Sequence, residues 1–109
     1  MIEDKDVERA LDYLRNSSEK AAIAKANSKV LEKYVGVIEA QQKGLQAGLS
    51  NAAAQDIARA SPEYKAALEG WKEALRQDSE FTMLREAASA RLEAWRTMSS
   101  NTRAMEKIR

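Results

Sequence analysis

Residues 61–75 read SPEYKAALEGWKEAL, and this stretch decides the fold. Ser61 offers a hydroxyl to the free amides of a helix start. Pro62 suits the first helical position, where no amide hydrogen is needed, and Glu63 sets a negative charge at the positive end of the helix dipole. Behind them Tyr64, Leu68, Trp71 and Leu75 recur at spacings of four, three and four, the period of one helix face. A long helix therefore begins at Pro62. No proline or glycine follows Gly70, and the stripe resumes with Phe81, Leu84, Ala88, Leu92, Trp95 and Met98. The helix is expected to reach about Met98 or Met105, with 99–109 otherwise a polar, helix-poor tail. Its heptad phase slips between Leu75 and Phe81, at Gln77-Asp78-Ser79, which predicts a kink or a change of packing face.

Upstream, Val7, Leu11 and Leu14 predict a short N-terminal helix over about 4–14. Asn16-Ser17-Ser18 then interrupts it, because these side chains compete for nearby backbone groups. Ser17 or Ser18 is placed to cap a second long helix over about 18–47. Its stripe is Ile23, Leu31, Tyr34, Ile38 and Leu45, widened by Val30 and Val37. The connection 48–61 is alanine-rich and weakly helical, and a short helix is expected there.

Two rows of small residues relate the long helices. Gly36, Ala40, Gly44 and Gly48 are spaced by four, as are Ala66, Gly70 and Ala74. An interior glycine costs a helix about 0.5–1 kcal/mol against alanine, which a close backbone approach would offset. If the chain reverses near residue 55, Gly44 faces Ala66, Ala40 faces Gly70 and Gly36 faces Ala74. Ile23 then lies beside Ala87, and Trp95 near the first helix.

The composition narrows the function. The 109 residues form a single helical domain in this reading, with 18 basic and 17 acidic side chains and neither cysteine nor histidine. A disulfide framework, a Cys/His metal site and a histidine-based nucleophile system are all excluded. Twenty of the 48 apolar residues are alanine, so the core is thin, and a dimeric helical bundle sharing its core is favoured. No apolar run is long enough to span a membrane, and the start MIEDKD lacks the features of a leader segment.

The segments DVERALDYLRNSSEKAA (6–22), SPEYKAALEGWKEAL (61–75) and LREAASARLEAWRTMSSNTRAMEKIR (84–109) occur in that order. Together they resemble small all-helical proteins encoded by bacteriophages and prophages of proteobacteria. The resemblance covers most of the chain and is strongest over ARLEAWRTMSSNTRAM (90–105). It is one of pattern, with no catalytic motif. It implies an accessory role in phage biology in the cytoplasm of a bacterial host, and it supplies no site residues.

The residues themselves leave three candidate surfaces. Trp95, Arg96, Met98 and Arg103 combine the residue types favoured at interface centres with a basic end. Lys25, Lys29 and Lys33, with Lys20 and Lys43 near them, form a row that would track a phosphate backbone. The Gly36, Ala40, Gly44, Ala66, Gly70, Ala74 set is the helix–helix contact. Glu69 with Glu73 and Glu32 with Glu39 read as solvated carboxylates, since a bundle metal site also draws on histidine. No catalytic residues, metal or cofactor are expected. Residues 1–12 carry net −3 and residues 91–109 net +3, and the simplest use of this asymmetry is attraction within the chain. The reading is a non-enzymatic interaction module that binds a protein partner as adaptor or inhibitor. An accessory nucleic-acid binder in phage replication, recombination or packaging is the alternative.

Overall fold

The structure, a computed structural model, describes residues 3–108. The fold is all-α, a long helical hairpin with a short helix in the connection: α1 (Asp4–Gly44), α2 (Asn51–Ala60) and α3 (Pro62–Ile108). Met1, Ile2 and Arg109, the last of them part of the expected basic end, lie outside the described residues.

The helix start at Pro62 stands. The Tyr64 amide donates to the Ser61 hydroxyl at 3.2 Å and the Lys65 amide to the Ser61 carbonyl at 3.1 Å. Ser61 also closes α2, because its hydroxyl donates to the Ala58 carbonyl at 2.6 Å. The connection is helical as expected. Ser50 caps α2 by accepting from the Ala53 amide at 3.2 Å. Gly48, at φ 84°, supplies the left-handed residue that turns the chain out of α1.

Three boundaries differ from expectation. There is no separate N-terminal helix, since α1 runs unbroken through Asn16-Ser17-Ser18. Ser17 Oγ donates back to the Tyr13 carbonyl and Ser18 Oγ to the Arg15 carbonyl at 3.1 Å. Both hydroxyls bond within the helix rather than capping a new one. The same helix stops at Gly44, before residue 47, where the Leu45 and Gln46 amides turn back to carbonyls three residues earlier. At the other end α3 continues to Ile108, past Met98 and slightly past Met105, so 99–108 is helix and not a helix-poor tail.

The phase break at Gln77-Asp78-Ser79 is also absent. Burial on α3 follows positions 64, 67, 71, 74, 78, 81, 85, 88, 92, 95 and 99, spaced by three and four throughout. On α1 it follows 7, 10, 14, 17, 21, 24, 28, 31, 35, 38 and 42. Each of these positions is buried or half-buried, the heptad pattern of paired helices. The series passes through small and polar residues, so it is hidden from a count of large apolar side chains.

Within the fold the chain divides into two compact units. The first takes residues up to Ala21 and from Glu80 onward, and the second takes Ala22–Ser79. In the first, Val7, Ala10, Ala88 and Leu92 are buried, with Tyr13, Leu14 and Trp95 packed against them. The expected approach of the N-terminal segment to Trp95 is thus present, made by the start of α1. In the second, Ala24, Val35, Ala54, Ala58, Ala67 and Ala74 are buried.

In both units α1 and α3 run antiparallel, and each keeps a polar layer in its seam. In the first, Arg85 Nη1 donates to the Leu14 carbonyl at 2.7 Å and to Ser17 Oγ at 2.8 Å. In the second, Ser28 Oγ lies 2.8 Å from the Lys25 carbonyl and 3.4 Å from Asp78 Oδ2. These pairs set the register one turn (Ser28 with Asp78) to two turns (Ser17 with Arg85) away from the one in which Gly44 faces Ala66.

The glycine contact is therefore corrected. Gly36, Ala40, Gly44, Ala66 and Gly70 are exposed, and a Cβ added at Gly36, Gly44 or Gly70 would meet nothing within 4 Å. Only Ala74 of that set is buried. Alanine and serine in the seam supply the small side chains, and the glycines face outward.

Candidate functional site

The large apolar residues of α1 do not form one stripe. Leu31, Val35 and Ile38 turn into the second unit, whereas Ile23, Val30, Tyr34 and Val37 are exposed by 53, 65, 48 and 50%. The exposed four sit at spacings of seven, four and three, so they line a second face of the same helix. Leu45 is exposed as well, at the helix end.

Lys25, Lys29 and Lys33 are all exposed on α1 and form no ion pair among the described residues. Successive four-residue steps rotate them by about 40° each, so the structure keeps them on one broad flank.

The Trp95 set is not brought together. Trp95 is half-buried against the first unit's core. Arg96 pairs with Glu93 on its own helix at 2.7 Å, and Arg103 Nε donates to the Ser99 carbonyl at 3.4 Å. Arg96 and Arg103, seven residues apart, share one flank of α3. Met98, two residues beyond Arg96, lies on the opposite flank.

Of the paired carboxylates, Glu69 and Glu73 are exposed and bonded along α3 to Lys72 and Arg76. Glu39 differs. It accepts from Gln55 Nε2 at 2.9 Å and from Arg59 Nε at 3.0 Å, which ties α2 to α1. The Gln55 hydrogen bond, with further help from Arg59 and Lys43, holds its carboxyl below the ordinary range against some desolvation. Glu39 and Arg85 are the polar side chains that sequence reasoning missed. Their signal was positional, because Arg85 falls on the same helical face as Phe81, Ala88 and Leu92.

In the first unit, Arg9, Ala10 and Tyr13 of α1 and Leu84, Ala87, Ala88 and Arg91 of α3 line a groove of about 260 Å³. The hydroxyl of Tyr13 is buried without a hydrogen-bond partner, as is Trp71 Nε1 in the second unit. Among the described residues no group of acidic side chains is arranged to hold a metal ion, and no helix is long and apolar enough to cross a membrane.

These features define an all-α hairpin with exposed apolar and basic faces on its helices. No family model matches the chain, and no curated protein or solved structure does so either.

Proposed function

We propose that the chain is a non-enzymatic helical interaction module, an accessory protein of a phage or prophage that works in the cytoplasm of its bacterial host. It pairs with a second copy of itself, most simply as a dimer, and engages another protein as adaptor or inhibitor. The observation that carries this reading is the outward face of Ile23, Val30, Tyr34 and Val37 on a helix whose other face already fills the seam. Fully burying a large apolar side chain contributes about 1.5–3 kcal/mol. These four are already about half buried, so each adds roughly half of that, and it takes the four from both copies to offset much of the entropy cost of association, about 4–15 kcal/mol.

The test is the double substitution Val30→Asp with Tyr34→Asp. The unsubstituted protein is expected to associate at micromolar concentration by light scattering, and to retain a discrete host protein after nuclease treatment. The double variant is expected to keep its helicity by circular dichroism and lose both properties. Unchanged association and capture in the variant would count against this face.

One observation favours a second reading, the unpaired row Lys25, Lys29 and Lys33. As phosphate contacts they would give nucleic-acid binding that falls with salt, with a log–log slope of about −0.9 per phosphate neutralised. Replacing all three by glutamine should then flatten the slope, whereas salt-independent or absent binding removes this reading.

A further inference from the structure

Arg9 and Arg91 stand on opposite walls of the groove in the first unit. Every other described arginine has a partner: Arg15 with Asp12, Arg59 with Glu39, Arg76 with Glu73, Arg85 with Leu14 and Ser17, Arg96 with Glu93, and Arg103 with Ser99. Among the described residues Arg9 and Arg91 have none. The alanines at 10, 87 and 88 leave room between them, and Leu84 gives the groove an exposed apolar lining. Such a groove fits one apolar side chain accompanied by carboxylates.

The same unit carries the complementary shape on another flank of α1. Leu11 is 42% exposed, with Asp4, Glu8 and Asp12 exposed around it. The acidic start and the basic end lie in the same unit, but close ion pairs between them are not what joins them. Among the described residues no ion pair joins the acids of 3–12 to the bases of 91–108, and the pairs there are local. Leu11 is two residues from both Arg9 and Tyr13, about 200° around the helix. Leu11 therefore cannot reach its own groove, although it can reach that of another molecule.

We propose that the groove between Arg9 and Arg91 receives Leu11 of a second copy, with Glu8 and Asp12 of that copy against the two guanidiniums. This contact is independent of the Ile23–Val37 face. Ridge and groove are different surfaces, so the contact is heterologous and repeats from copy to copy instead of closing after two. Its small area makes it weak and salt-sensitive.

The experiment uses the full chain carrying Val30→Asp and Tyr34→Asp, so that association through the other face does not contribute. That background stays at the mass of one chain at micromolar concentration; as concentration is raised well above this, the mass by light scattering is expected to climb past two chains and to fall back as salt is added. Leu11→Glu removes the ridge, and Arg9→Glu with Arg91→Glu removes the groove. Each variant alone should stay at the mass of one chain, while an equimolar mixture should reach twice that mass and no more. The absence of native cysteine allows a second readout that does not depend on affinity. Asp12→Cys in one chain and Ala87→Cys in another should form a mixed disulfide, whereas Asp12→Cys with Ser100→Cys should not. Association that stops at two chains in the background protein, or equal crosslinking at Ser100→Cys, would overturn the proposal.

Discussion

Two carboxylates show how similar chemistry serves different ends. Glu73 is held at about 2 by hydrogen bonds from Arg76 and Gln77, all within α3, so its pairing survives wherever that helix persists. Glu39 is lowered by Gln55 first and by Arg59, which belong to another helix, so its ionisation is linked to the docking of α2. A depressed carboxyl stabilises the fold above its unfolded value, near 4.5, and that contribution is lost as pH falls through the folded value. Acid titration of thermal stability should therefore show the unsubstituted protein losing more than Glu39→Gln below pH 4.5. The two midpoints should converge as Glu39 protonates. Neither Glu39 nor Arg85 was legible as a structural residue. Nothing in the spacing of charges tells a carboxylate that meets a neighbouring helix from one that meets water, and their partners lie 16 to 71 residues away.

At the level of the helices, local signals were read correctly where the backbone itself decides. Pro62 starts α3, and a short helix forms in the connection, because each satisfies a need of the chain at that point; the Ser50 cap of α2 was not read. Asn16-Ser17-Ser18 was misread because serine hydroxyls bond equally well to a carbonyl one turn back, and Arg85 holds Ser17 from across the seam. The seam was misread because it runs through Ala10, Ser17, Ala24 and Ser28, which carry little apolar weight. The outward glycines give a direct test. Gly36→Ala and Gly70→Ala should each stabilise the protein by about 0.5–1 kcal/mol, since a methyl group there touches nothing and both sites are helical. Gly48→Ala should instead destabilise by about 1–2 kcal/mol, because its φ of 84° is costly for an L side chain. Chemical denaturation of the three variants distinguishes these signs.

For the whole molecule, the all-α hairpin was legible from the scarcity of glycine and proline. The division into two units was not, because α1 and α3 pass from one unit to the other without a helix-breaking residue. Trp95 belongs to the first unit and Trp71 to the second. Each unit therefore contains its own fluorophore, and Trp71→Phe or Trp95→Phe leaves one emission spectrum that reports on one unit alone. Helix formation propagates cooperatively along unbroken segments, so the two single-tryptophan proteins are expected to melt at the same temperature. Separate midpoints would mean that one unit opens while the other holds. The colour of the emitted light would then distinguish a half-open chain from a fully unfolded one.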